Sequence, residues 1–585
     1  MAVYESHPLA ADYPSLRLLE LDLTSDAANT DDTIIHATME TYDFRDAPEY
    51  EALSYTWGTQ DESESIKLNG QLFSVTPNLL EALRQLCLNQ RENGKSKRKL
   101  WIDAISINQS NNPEKSQQVM QMKEIYANAS QVLMWTGKPD DLTGIAFDTL
   151  ERFSAEDGTR DGSATYRDIL DTVEERRAAI HRFIQRPYFH RAWVVQEVVA
   201  ARTAIVLCGS FSISFVRLNN AVERMTGSGF IPFSMATSNV TYIGMWRSHF
   251  LERDGPNREE ILGLRLIMDS RDRKATDPRD KVYSLRGIAN DVLAAGITVD
   301  YDKSIERVYT DCAKHVLKTR PDLRVISAVA ARHRTESSFL LPSWVPNWDG
   351  SKYGGGILQR YYRFKPASFF CAAGASKPRV TMTESSDTIS LEGIRLDTIE
   401  RVIRIKSILA ARDANSFSVT GASLREMAAD VASSETYAFT GEPLWKAFFR
   451  TLTGDRTALS PRIHDDYRAK FLASVHDWQF DSEGAGQEIS AGAWAEISKS
   501  IGAIIEDKDM FLTAKGYLGL AQEGFQTGDI VCILCGGDTP FLLRQATLPN
   551  GGEFRLQSEC YVHGVMDGEM MTGRESDHLE SFSIE

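Results

Sequence analysis

"KLWIDAISINQSNNPEKSQQVMQMKEIYANASQVLMWTG", residues 99 to 137, carries the pattern that decides the fold. An apolar β-run breaks into a polar loop. A helix follows, marked by Val119, Met122, Ile125, Tyr126 and Ala129 at three- and four-residue spacing, and a second β-run closes the unit. The connection is far too long for a hairpin, so the two strands are expected in a parallel sheet, with the helix crossing over one face. The pattern extends in both directions. Upstream, "SLRLLELDL", "DTIIHATMETYDF" and "YEALSYTWG" read as strands. "ESIKLNGQLFSV" sets Asn69-Gly70 between two alternating runs, the pair a type I′ hairpin prefers. Thr76 and Pro77 then open a helix with Leu79, Leu83 and Leu86 on one face. Downstream come a helix near 143–153, the Gly/Asp-rich "SAEDGTRDGSAT", the helical "YRDILDTVEERRAAIHRFI", the short apolar helix "RAWVVQEVVAA" and the strand "TAIVLCG". The expected architecture is α/β: a parallel sheet with helices on both faces.

At 585 residues the chain exceeds one hydrophobic core. We expect an α/β domain over 1–210, a mainly helical region over 211–340, a mixed α+β region over 341–507 and a β-rich unit over 508–585. The helical region rests on "NREEILGLRLIMDSRDRKATDPRDKVYSLRGIA" and "SIERVYTDCAKHVLKT". The last stretch alternates strand runs with Gly-rich turns. The formal charge of −16, from 65 Lys+Arg against 81 Asp+Glu, disfavours non-specific binding of nucleic acid or anionic membrane. The first residues lack a basic segment followed by an apolar one, and no window approaches a membrane span. Seven scattered cysteines fit a reducing compartment. A cytoplasmic protein without nucleic-acid partner or membrane span is therefore expected.

Residues 191–201 raise the chemical question. Gln196 and Glu197 interrupt a run of small and aliphatic residues, and burying an unpaired carboxylate costs several kcal/mol or raises its pKa. Either Glu197 pairs with a cation such as Arg191 or Arg202, or it lines a cleft that uses it. Ligand crevices of parallel sheets lie beyond the carboxyl ends of the strands, where the loops after Tyr55 and Asp103 leave. Trp193, Gln196 and Glu197 fall on nearly one side of their helix. Asp103 has two readings, a functional carboxylate or a brace for "NQSNNPEK" and cap for the helix near Pro113. Trp57-Gly58 reads first as a packed aromatic and a turn; Gln109 and Glu114 read as loop-ordering residues. Cys532, Cys535, Cys560 and His563 invite a zinc reading, but a strand register sends the first two thiols to opposite faces, so no metal is expected. "YGGGI" at 353–357 lacks the spacing of a phosphate loop.

Three blocks, "YEALSYTWG", "LWIDAISINQSNNPEKSQQVMQMKEIYANASQVLMWTG" and "RAWVVQE", together resemble the fungal heterokaryon-incompatibility (HET) domain. Later phrases, "ATDPRDKVYSLRGIA", "LPSWVPNWD" and "GYLGLAQEGFQTGDIVCILCGGDTPFLLR", resemble the C-terminal extension common in such proteins. Ser106 departs from the family, which usually has cysteine there. HET domains are distantly similar to Toll/interleukin-1 receptor (TIR) domains, and "RAWVVQEVV" looks like the TIR helix whose glutamate is catalytic in members that hydrolyse NAD. The resemblance implies a role in non-self recognition and regulated cell death, with Glu197 as catalytic residue and Tyr55, Trp57, Gly58, Asp103, Trp193 and Gln196 around the substrate. NAD would be a substrate, and no cofactor is implied. A single carboxylate suits that chemistry: nicotinamide leaves as a neutral group, so only an oxocarbenium-like ribosyl centre needs stabilising. The alternative it leaves open is a non-catalytic cell-death module acting through self-assembly or a HET- or NLR-type protein partner. A third is transfer of ADP-ribose to an acceptor other than water. The β-rich C-terminal unit is then expected to restrain the first domain.

Overall fold

The computed structural model describes residues 2–10, 12–22, 34–58, 63–92, 97–154, 172–232, 235–251, 263–289, 296–320, 322–329, 339–349, 370–383, 386–405, 436–455, 505, 507–546, 553–571 and 579–585. "YGGGI" and most of "SAEDGTRDGSAT" lie outside them. The chain divides into two compact units, Met1–Ser304 and Ile305–Glu585.

The first unit is built on a nine-stranded sheet. Its strands are β1 (Ser15–Asp22), β2 (His36–Asp43), β3 (Glu51–Tyr55), β4 (Glu64–Leu68), β5 (Gln71–Val75), β6 (Lys97–Trp101), β7 (Val132–Trp135), β8 (Ala204–Cys208) and β9 (Phe211–Ser214), in the order β5-β4-β2-β1-β6-β3-β7-β8-β9. The centre β6-β3-β7-β8 is parallel, as the long helical crossovers require. The flanks add antiparallel pairs, so the sheet is mixed where the pattern predicted a parallel one. β1 runs antiparallel to both β2 and β6, and β4–β5 and β8–β9 are hairpins. At the β4–β5 turn Asn69 and Gly70 have φ of 50° and 79°, the left-handed pair that a type I′ turn needs.

Helices cover both faces. α1 (Pro77–Glu92) lays Leu79, Leu83 and Leu86 against Leu19, Leu53, Tyr55, Ile66 and Leu133. Its Thr76 Oγ1 accepts from Leu79 N at 3.4 Å. On the other face lies α2 (Asn112–Asn128), capped by Asn111, whose side chain accepts from Glu114 N. Tyr126 of α2 meets Trp101 edge-on with ring centroids 5.4 Å apart. Further helices α3 (Thr143–Ser154), α4 (Val173–Ile184), α5 (Val194–Ala200), α6 (Phe215–Gly227), α7 (Met235–Leu251), α8 (Gly263–Ser270) and α9 (Asp280–Arg286) complete the unit.

In the second unit α10 (Ile305–Thr319), β10 (Val380–Met382), the 15-residue β11 (Ile389–Ile403) and α11 (Leu444–Leu452) precede β12 (Lys508–Thr513), β13 (Leu518–Gln522), β14 (Ile530–Leu534), β15 (Phe541–Gln545), β16 (Phe554–Val562) and β17 (Glu580–Ile584). The antiparallel pairings β11–β12–β13–β16–β15–β14 return to β11 and close a barrel filled by Leu396, Phe511, Val531, Ile533, Leu542 and Val562. β11 bends through irregularities between Arg395/Asp397 and Ile399/Arg401, the device that lets one strand turn a barrel corner. The β-rich segment 508–585 therefore closes only with a strand from 389–403. Of the zinc-like residues, Cys535 and Cys560 belong to the barrel core, Cys532 donates to Phe541 O, and the His563 ring meets Tyr561 and Glu442. No helix among the described residues is long and apolar enough to cross a membrane.

Candidate functional site

β3 and β6 are parallel, with Glu51 opposite Leu100 and Ala52 opposite Trp101, so their carboxyl ends open at one end of the sheet. Two loops leave there. The Trp57 indole donates from Nε1 to Asp103 Oδ2 at 2.8 Å and ties one to the other. Asp103 also accepts from Ala104 N at 2.7 Å, and its carbonyl accepts from Gln109 Nε2 at 3.0 Å. Asp103 thus braces the loop, while Asn111 caps α2. Gly58, at φ 80°, supplies the left-handed turn after Trp57. Glu114 accepts from Asn108 N at 2.7 Å and pairs with the buried Arg17 at 2.6 Å, which fixes the far end of the same loop.

α5 is buried along its whole length, as a helix that is apolar on every side apart from Gln196 and Glu197 must be. Glu197 is 1% exposed and points at β3. Its Oε2 accepts from the Ser54 hydroxyl, and Ser54 Oγ lies 2.6 Å from the Tyr188 hydroxyl. Arg191 Nη1 stands 3.7 Å from the same carboxylate. Burial pushes the Glu197 carboxyl up to about 7, against Arg191 and the Ser54 hydrogen bond. Asp103 is raised by the same cause. Burial works against the charge of Arg191, but Glu197 and Asp103 on either hand outweigh it. The Tyr126 and Tyr188 phenols are raised by burial beside Glu197. The arrangement is a closed cluster of two carboxylates, one guanidinium, one alcohol and two phenols.

The sequence candidates separate into groups. Glu197, Asp103 and Trp57 share the end of the sheet. Tyr55 packs its ring in the core on the α1 face. Its hydroxyl is buried without an ordinary hydrogen bond, with Asp103 as its first electrostatic neighbour. Trp193 and Gln196 direct their polar ends elsewhere: Trp193 Nε1 donates to Asp280 Oδ2 at 3.0 Å, and Gln196 Oε1 accepts from Gly287 N at 3.1 Å. Asp280, also bonded by Tyr301 at 2.7 Å, is raised by burial to about 6. The residues that sequence reasoning missed are Ser54 and Tyr188. Ser54 alternates with Leu53 and Tyr55, so it faces α5 while they face α1. A hydroxyl between large apolar neighbours in a buried strand was the available signal.

Two family models match the chain: "Heterokaryon incompatibility protein (HET)" over residues 50–197 and "Het-6 beta-barrel domain" over residues 465–580. The first runs from the residue before β3 to Glu197. The second ends within β17 and does not include the closing strand β11. The chain is similar to heterokaryon incompatibility protein 6, OR allele, of Neurospora crassa, 25% identical over a 654-residue alignment spanning 95% of each protein. No solved structure matches it. The three sequence blocks, the mixed α/β sheet and the C-terminal barrel agree with these matches: the chain carries a HET domain over residues 50–197 and is similar along its length to that heterokaryon-incompatibility protein.

Proposed function

We propose that this protein acts in fungal non-self recognition and regulated cell death, and that its HET domain does so by cleaving NAD at Glu197. The observation that carries the chemical reading is a buried carboxyl at about 7, hydrogen-bonded by Ser54, at the carboxyl end of a parallel strand. A carboxylate in a dry site stabilises a developing ribosyl cation far better than one in water. Ser54 orients the carboxylate, and Arg191 together with Asp103 sets the field around it. In the TIR-like reading no general acid is needed, because the breaking C–N bond leaves its electron pair on the nicotinamide, which departs neutral while the positive charge passes to the ribosyl centre that Glu197 faces and that water then attacks.

A second reading has its own support. Glu197 is 1% exposed, and both Ser54 and Arg191 engage it, which is how a structural carboxylate looks and fits a module that signals by assembly alone. One experiment divides the two. Purified full-length protein is incubated with NAD, with and without enforced clustering, and nicotinamide is quantified. Release that disappears in Glu197→Gln supports cleavage; a Gln variant that still kills cells at normal abundance returns the lead to the assembly reading.

A further inference from the structure

β10 is the edge of the second unit's sheet. Among the described residues no strand pairs with its outer side. Its register on β11 sets Val380 opposite Leu391, Thr381 opposite Ser390 and Met382 opposite Ile389, and Glu392 N donates to Arg379 O at 3.1 Å. Hydrogen bonding alternates along an antiparallel pair. Arg379 and Thr381 therefore bond inward to β11, and the N–H and C=O groups of Val380 and Met382 point away from it. The strand lines a groove of about 570 Å³. One wall is this strand with Lys377 and Pro378; the other is the end of α10 with Lys318 and Arg320.

Three cations thus line it from two elements in a chain of formal charge −16, and none of the described residues lining the groove is acidic. Lys318 and Arg320 complement the carboxyl end of α10, and Arg320 also holds Asp322 at 2.8 Å. Lys377 has no such helix to serve. Lysine and proline beside a short edge strand blunt indiscriminate pairing. Here the edge forms one wall of a slot, so the same charges select what enters by rejecting neutral and basic strands.

We propose that this groove binds an extended, acidic peptide segment of a partner protein, which adds as a strand to β10 while its carboxylates meet Lys318, Arg320 and Lys377. Backbone pairing supplies the affinity and charge supplies the selection, the usual division in strand addition. The occupied edge is three residues, about 10 Å of partner strand.

The test uses the full-length protein and a fluorescein-labelled octapeptide alternating Glu with Thr, followed by anisotropy at low salt, with the Lys–Thr peptide as control. The acidic peptide binds and the basic one does not. Val380→Pro removes only an outward N–H, which an edge strand tolerates, and Lys377→Glu reverses one charge. Each weakens binding about tenfold, the size of one lost net hydrogen bond or contact, at unchanged melting temperature. Wild-type protein that ignores the acidic peptide overturns the proposal. So does equal binding by both variants. Displacement of the peptide by millimolar inorganic phosphate with Val380→Pro unaffected makes the groove a simple anion site. A wild-type dimer in sedimentation that dissolves in Lys377→Glu makes the occupant a second copy. Either result also overturns it.

Discussion

Glu197 sets the terms at the scale of single residues. Its carboxyl titrates near 4.5 in the unfolded chain and about 7 in the fold. Between those values the native state holds a proton that the unfolded chain has lost. The group's contribution is therefore full below about pH 4.5 and lost as pH rises to about 7, a difference on the order of 3 kcal/mol. Asp280, raised to about 6, acts in the same direction. Thermal unfolding should show the first unit losing stability from pH 5 to pH 8. Glu197→Gln resembles the protonated form, so its melting temperature at pH 8 should equal or exceed that of the wild type. A clear drop would mean that the attraction of Arg191 outweighs burial, because removing one partner of a buried pair strands the other. If Glu197 cleaves NAD as an anion, activity rises with pH through about 7 in the wild type, and nicotinamide release across that range measures it. The charge in an apolar helix was legible in the sequence. Its partners were less so: Arg191 was a named candidate, but the strand's period of two sends Tyr55 to the α1 core and Ser54 to Glu197, and the eye follows the aromatic.

At the scale of elements, the helix that bears Glu197 is held by residues beyond the HET match. Arg247 Nη1 donates to Val198 O at 2.6 Å and to Ala201 O, and Nη2 to Arg202 O at 2.8 Å, satisfying carbonyls that the end of α5 leaves open. Arg273 donates to Phe189 O at 3.1 Å, just before α5. Sequence patterning read α5 as a helix and took α9 as part of one longer helical stretch. It could not see that Trp193 and Gln196 serve their junction, since an amide and an indole look the same facing a neighbour or a ligand. Arg247→Met keeps the aliphatic volume and removes three hydrogen bonds; we expect a loss of about 2–3 kcal/mol, measured by denaturant unfolding of the first unit. In the barrel, Gly393 of β11 has no room for a side chain. A Cβ there would stand 2.4 Å from Ile533 O and 2.9 Å from Leu534 Cα, both backbone atoms of the neighbouring strand. Gly393→Ala should lower the stability of the second unit by about 1–3 kcal/mol or more, visible as a lower melting temperature. β11 lies within the stretch expected as mixed α+β, but the alternating charges of "TISLEGIRLDTIERVIRI" gave no sign that it closes a sheet over a hundred residues downstream.

For the molecule as a whole, the α/β class, the barrel-forming strands and the intervening helices were legible because hydrophobic period and turn chemistry agree there. The first unit's extent was not, because nothing in composition changes at residue 210. The compact unit runs to Ser304, and α5 depends on contacts from Asp280, Gly287 and Arg247. A chain ending at 210 would leave one side of a fully buried helix without its covering, and the buried carboxyl of Glu197 would lie close to that exposed side. We therefore expect the 1–210 fragment to aggregate and the 1–304 fragment to remain soluble and fold cooperatively. This bears directly on the proposal that the C-terminal region restrains the HET domain. Toxicity on expression of 1–210 would report misfolding as readily as release. Expression of 1–304 isolates the question, since Asp280, Gly287 and Arg247, which hold α5, are all present while the barrel is gone. If restraint operates, 1–304 kills cells more strongly than the full chain at equal abundance, and its Glu197→Gln variant does not. If 1–304 is folded, abundant and no more toxic than the full chain, the barrel serves recognition or folding and restrains nothing.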